Sequence, residues 1–368
     1  DLVKKVKPAA IKEFKVLEDY AKDIDNIERL EKWDTTFYSE MYKKHKFNID
    51  QEELKPYFSL QNVLQGAFTV SNKLYGLNFK ELLDVDTYSE EVKTYEVTDD
   101  KNNFVALLYT DFHPREGKRG GAWMTSYKPQ YKYKNTNERP HISIVCNFTK
   151  PTKNKPSLLT FYEVTTLFHE FGHALHGILA NTTFKSLSGT NVSWDFVELP
   201  SQIFENWCYE KEALNLFAFH YETKKVIPID LIKKIKKSAN YNQASQILRQ
   251  LSIGLLDMNW HNINPGKIKD VKKYESKVLE KLTFTKELNE VCISTGFSHI
   301  FQGGYSAGYY SYKWAEVLDA DAFEYFKEQG IFNKKIALKF KNNILSKGGT
   351  EDPMDLYIKF RGRKPTID

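Results

Sequence analysis

The chain has 368 residues, of which 41% are hydrophobic, 14% aromatic and 27% charged. That is enough apolar material for a sizeable core, and it excludes an intrinsically disordered chain. The 53 basic and 48 acidic residues leave a net charge of +5, too small an excess to point to nucleic acid. No apolar run approaches the roughly eighteen residues of a membrane span. Cys146, Cys208 and Cys292 lie far apart and form neither a metal-type spacing nor a disulfide framework. They favour a reducing, cytoplasmic compartment, with the periplasm as the alternative. Residue 1 is Asp, and DLVKKVKPAAIKEF carries no signal-peptide core. A start without Met is expected of a processed, trimmed or partial chain.

Residues 1–75 read as helices. Apolar residues recur at helical spacing in AAIKEFKVLEDYAKDI, WDTTFYSEMYKKH and ELKPYFSLQNVLQGAFTVSNKLYG. Pro56 suits the first turn of the third of these. Residues 76–151 change character. EVKTYEVTD, NFVALLYTDF and HISIVCNF are β-branched and aromatic runs of strand length. A Gly-rich turn, HPREGKRGGAWMTSY, and a polar loop, KYKNTNERP, lie between the last two. A small sheet of roughly three to five strands is predicted. Residues 152–368 are helical again, with breaks at TFKSLSGTN, INPGK and FQGGYSAG. No linker separates the regions, and so small a sheet needs helices against it. The expectation is a mainly α fold with a small β-sheet, one compact domain over 1–368.

His169-Glu170-Phe171-Gly172-His173 is an HExxH. Thr160-Phe161-Tyr162-Glu163 is a capping box, so a helix should start near Phe161. Histidines four apart then share one face and can both ligate one zinc ion. Glu170 falls about 100° around the axis, beside the ion, where a carboxylate can take a proton from water. The bland alternative is a buried helix whose histidines only satisfy core hydrogen bonds. Glu198, 25 residues after His173, suits a third ligand. It lies near a helix start, because Pro200 is tolerated only in a first turn. That helix is expected to run through SQIFENWCYEKEAL. Glu163, Glu205 and Glu210 compete with Glu198. His176 is either a supporting group or a packed helical histidine. Asp195 either orients a ligand imidazole or caps a helix.

Downstream lies FSHIFQGGYSAGYYSYKW. Tyr305, Tyr309 and Tyr312 are spaced four and three apart after the Gly303-Gly304 pair, on one helical face if helical. A phenol there can donate to the oxyanion formed when water attacks a peptide carbonyl. An aromatic packing stripe is the competing reading, and His299 shares that ambiguity.

HEFGHALH, SGTNVSWDFVELPSQIFENW and FSHIFQGGYSAGYYSYKWAEVLDADAFEYF together resemble signature segments of the thimet oligopeptidase family of zinc metallopeptidases. The likeness is to its bacterial peptidyl-dipeptidase and oligopeptidase A branch, and DFHPREGKRGGAWM and ISIVCNFT extend it into the sheet region. The resemblance implies a zincin-like catalytic domain. It implies that His169, His173 and Glu198 hold one Zn2+ and that Glu170 is the general base. Tyr305 and Tyr312 would bind substrate and stabilise the tetrahedral intermediate, His299 would lie near the scissile bond, and Tyr309 would be a further cleft tyrosine. The HIFQGGY spacing is one residue longer than in thimet oligopeptidase itself, as in the bacterial branch. Members of the family are much longer, so the N-terminal half of their channel is expected to be absent here. The implied function is zinc-dependent hydrolysis of short unstructured peptides, foremost release of C-terminal dipeptides. Internal cleavage is the alternative, and a catalytically weak peptide-binding piece is the alternative of another class. Expected partners are such peptides and the absent N-terminal half, with no nucleic acid and no membrane. Arg115, Lys118, Arg119 and Tyr309 are candidates to hold a substrate C-terminus.

Overall fold

The computed structural model describes residues 1–366 apart from Glu287, Asn289 and Gly303, and apart from the side chain of Pro265. Gly303 of the predicted Gly-Gly pair therefore lies outside the described residues. The fold is mainly helical with a small sheet, as the hydrophobic periods predict. The contacts divide the chain into two compact units, 1–50 with 233–313, and 51–232 with 314–368.

In the first unit, the helix Leu2–Asp25 buries Val6, Ala10, Leu17 and Ala21, spaced four, seven and four apart along one face. Val6 and Ala10 pack with Leu248, Leu256, Leu279, Ile300 and Tyr309. Leu17 and Ala21 pack with Leu30 and Tyr38. The carboxylate of Glu13 accepts from the backbone N–H of Ala244 at 3.0 Å and of Ser245 at 2.8 Å. It thereby satisfies orphan donors at the start of the helix Gln243–His261. Tyr305 and Tyr309 do not lie on a helix. Residues 306–310 form turns, and the helix begins at Ser311. Positive φ at Gly304 (88°) and Ala307 (54°) prevents helical winding there.

In the second unit, Pro56 occupies a short 3-10 turn, Lys55–Tyr57, rather than the first turn of a longer helix. The helix restarts at Leu60 because Ser59 turns extended and its hydroxyl caps the amide of Asn62. Seven strands follow: β1 Asn78–Leu82, β2 Lys93–Thr98, β3 Phe104–Asp111, β4 Trp123–Lys128, β5 Tyr131–Tyr133, β6 Thr136–Glu138 and β7 His141–Val145. Five form a sheet of order β1-β2-β3-β7-β4, and β5-β6 is a separate hairpin. Only β3 and β7 pair in parallel, with Leu108 opposite Ile142. Trp123–Lys128 is thus an edge strand, not part of a Gly-rich turn. Its residues are partly exposed without a clear alternation, which hides the period-2 signal. The expected polar loop is likewise the β5-β6 hairpin, turned at Lys134 with φ 52°.

The helix Phe161–Ile178 starts where the capping box places it, with both reciprocal bonds of Thr160 and Glu163 present. It is buried nearly all round. Its partner helix, Leu199–Glu205, carries Pro200 in its first turn. That helix does not run on to Leu214. It tightens into a 3-10 turn, Asn206–Tyr209, where the buried Trp207 donates its indole N–H to Ile331 O at 3.2 Å. Glu210 then takes an extended backbone before the short helix Lys211–Leu214. The two partner helices touch at Gly172. A Cβ there would lie 2.2 Å from Pro200 O and 2.6 Å from Ser201 Cα, so no side chain fits. No helix among the described residues is long and apolar enough to cross a membrane.

Gly172→Ala should force these backbones apart and lower unfolding stability by about 1–3 kcal/mol in a denaturant melt. It should also weaken metal binding, because Glu198 moves with the displaced helix. A variant that melts and binds metal like the parent would show that this close approach does not set the helix spacing.

Candidate metal centre

His169 and His173 stand one turn apart on the Phe161–Ile178 helix, with ring centroids 5.0 Å apart and planes at 87°. Glu198 precedes Leu199 at the start of the partner helix and is fully buried. Its Oε2 lies 3.3 Å from His169 Nε2 and 3.2 Å from His173 Nε2. These three are the His/Cys/Asp/Glu cluster that could close on one ion among the described residues. Ligand atoms held at about 2.0–2.1 Å around a tetrahedral ion lie about 3.3–3.4 Å apart, so the two measured separations fit such an ion. The donor set, two imidazole nitrogens and one carboxylate oxygen, also suits zinc with a position left open.

The supporting contacts fix these atoms. Glu205 Oε1 lies 2.7 Å from His169 Nδ1. In a metal-loaded centre that contact would hold the proton on Nδ1 and free the Nε2 lone pair for the ion. Ser201 donates to Glu198 Oε2 at 2.8 Å. Burial alone would raise the Glu198 carboxyl, but the charge of His173 and hydrogen bonds from both imidazoles hold it well below the usual range. Burial likewise opposes charge on His169, and its hydrogen bonds to Glu198 and Glu205 override that and raise it. Glu170 is buried beside this group, and its Oε2 has no partner among the described residues. Burial raises its pKa, which makes it a stronger base than an exposed carboxylate.

Of the competing acids, Glu163 is used by the capping box and Glu205 holds a ligand from behind. Sequence reasoning weighed Glu205 only as a ligand. Its signal was the seven-residue step from Glu198, two turns along the helix face. Asn206 beside it donates to Asp319 at 3.2 Å. Burial and the Glu205 charge push Asp319 up to about 8, against the amide of Asn206. Asp195 sits half-buried in the helix Trp194–Val197. His176 is fully buried, neither ring nitrogen has a partner among the described residues, and burial lowers its pKa to about 3. It is a neutral packed histidine. The thiols of Cys146 and Cys208 are buried and pushed up by burial, so neither is a nucleophile.

Arg115 and Lys118 are both committed to the buried Asp111. Arg115 binds it with two hydrogen bonds of 2.7 and 2.9 Å, and Lys118 reaches it at 2.8 Å. Arg119 lies over the Trp123 ring, 5.4 Å from its centroid.

The aromatic candidates assemble in the first unit. His299 Nε2 lies 3.1 Å from the Tyr312 hydroxyl. The rings of Tyr305 and Tyr312 stack 5.5 Å apart at 13°, and His299 sits 4.6 Å from Tyr305. His299, Tyr305 and Tyr312 are half-buried. Tyr309 is only 8% exposed and packs edge-on against Phe297 in the core.

An HExxH helix with a third donor at the start of its partner helix is a candidate metal centre of the metallopeptidase type. The model of peptidase family M3 matches residues 1–368. The chain is 44% identical to oligopeptidase A of Escherichia coli (strain K12), over all of this chain and 55% of that protein. It is 39% identical to dipeptidyl carboxypeptidase of the same strain, over 91% of this chain and 49% of that protein. With the thimet-like oligopeptidase of Dictyostelium discoideum it shares 34% identity, over 90% and 50%. The chain belongs to peptidase family M3, in agreement with the three signature segments. It spans about half the length of the curated relatives it matches.

Glu205→Ala should weaken zinc binding about 10–100-fold while leaving the fold intact, and Glu198→Ala should abolish it. Metal titration with a competing chelator measures both. Unchanged affinity in either variant would remove that residue from the centre.

Proposed function

We propose that the chain carries the catalytic centre of a zinc peptidase acting on short, unstructured peptides. The convergence of His169 Nε2, His173 Nε2 and Glu198 Oε2 beside the unpartnered Glu170 Oε2 supports this reading. His169 Nε2, His173 Nε2 and Glu198 Oε2 would hold a zinc ion, which would supply Lewis acidity to an attacking water and the scissile carbonyl. Glu170 takes the proton of that water on Oε2 and delivers it to the leaving amine. The family resemblance gives Tyr305 and Tyr312 the role of oxyanion donors, and within their own unit His299 Nε2 meets the Tyr312 hydroxyl. Tyr309 supports the loop from the core and is not assigned to the substrate. The separated free cysteines are consistent with a reducing, cytoplasmic location.

Two observations favour internal cleavage over release of C-terminal dipeptides, which reverses the order expected from the sequence. Arg115 and Lys118 are engaged by Asp111 and so are poor partners for a substrate carboxylate. The oligopeptidase A similarity is also higher and covers the whole chain.

Glu170→Gln should keep one zinc per chain and lower hydrolysis of a quenched fluorescent peptide by about 10²–10⁴-fold. Retained activity would remove Glu170 as the base. Binding without cleavage by the zinc-loaded parent would favour a non-catalytic peptide-binding role. Mass spectrometry of one nonapeptide digest separates the modes, since a single internal cut supports the proposal and sequential dipeptide loss overturns the preference.

A further inference from the structure

We infer that Asp257 is a positioning residue that sets the conformation of the loop 304–310 and, through it, the phenols of Tyr305 and Tyr312. The inference rests on the oxyanion role proposed for those two tyrosines.

Asp257 is fully buried on the helix Gln243–His261. A buried carboxylate is costly unless hydrogen bonds and positive charge meet it. Asp257 spends both its oxygens on the loop. Oδ1 accepts from the Ala307 N–H at 2.8 Å, and Oδ2 accepts from the Tyr309 N–H at 3.0 Å. One turn further along the same helix, His261 Nδ1 lies 2.9 Å from Oδ1.

The loop needs such a brace. Ala307 holds φ at 54°, a left-handed conformation in which the Cβ of an alanine crowds the following carbonyl oxygen. That backbone aims the amides of residues 307 and 309 at one point, and the carboxylate fills it as an anion fills a nest of N–H groups. Short-range bonds also hold the loop, among them Gly308 N–H to Tyr305 O at 2.9 Å and Ser306 Oγ to Ile300 O at 3.1 Å. The braced amides lie between Tyr305 and Tyr312, whose rings stack, so a shift at residues 307–309 changes the spacing of the two phenols. The carboxylate contacts the loop backbone, so it acts through placement.

A misplacement of about 1 Å at an oxyanion donor lowers turnover by up to about 10²-fold. In the zinc-loaded chain, Asp257→Asn preserves volume and one acceptor but turns an amide N–H2 toward a loop N–H. It should lower kcat about 10–100-fold with KM within about threefold, at one zinc per chain and with an unchanged unfolding transition. In a variant lacking both phenols, Tyr305→Phe with Tyr312→Phe, adding Asp257→Asn should cost less than about twofold more, because Asp257 acts through those two groups. Parental kcat, or losses that multiply, would overturn the inference.

Residue-resolved hydrogen exchange decides the brace without reference to activity. The amides of Ala307 and Tyr309 should be protected in the parent and exchange at least about tenfold faster in Asp257→Asn. Parental amides that exchange at open-turn rates overturn the brace, and this arm holds even where the variant does not fold. A parent with protected amides but no zinc-dependent hydrolysis keeps the brace and refutes the peptidase reading.

Discussion

A carboxylate removed from water carries a large desolvation penalty, and Glu198 is wholly removed. Only concentrated positive charge makes such a position tenable. Two imidazoles meet one of its oxygens within 3.3 Å, and the Ser201 hydroxyl supports the same atom. The second unit is arranged around this convergence. Gly172 lets two helix backbones touch, the Thr160 capping box fixes where the first helix begins, and Pro200 fixes the start of the second. Glu205 holds one imidazole from behind, so the donors are aimed before any ion arrives.

Much of this was legible in the chain. The HExxH spacing and the capping box placed two candidate donors and a candidate base from residue types, whereas the Pro200 rule left Glu198 in competition with Glu163, Glu205 and Glu210 and the family resemblance carried that choice. Helical and strand periods located the change of character near residues 76 and 151. Other features were not legible, for physical reasons. The edge strand Trp123–Lys128 lacks alternation because it is partly exposed. The tyrosine segment has helical spacing but turn geometry, because φ is positive at Gly304 and Ala307 and the amides of Ala307 and Tyr309 are met by a carboxylate some fifty residues away in the chain. Such a long-range bond leaves no periodic trace. The two-unit grouping, which joins the first 50 residues to 233–313, also depends on contacts distant in sequence.

The same economy recurs in both units. Glu198 and Asp257 are each fully buried acids, and each is met by histidine together with further donors. In one case the partners are ligand imidazoles and in the other loop amides. Asp111 is a third buried acid, neutralised by Arg115 and Lys118, and that pairing engages two cations that the sequence offers as substrate anchors. Buried acids therefore organise the metal centre, the tyrosine loop and the turn after β3 alike. Their partners, rather than their residue types, separate the three roles.

Diffraction measured at the zinc absorption edge from a zinc-loaded crystal tests the metal assignment most directly. One anomalous peak is expected about 2.0–2.2 Å from His169 Nε2, His173 Nε2 and a Glu198 carboxylate oxygen. A peak elsewhere, or none at full zinc load, would contradict the centre on which the proposed chemistry depends.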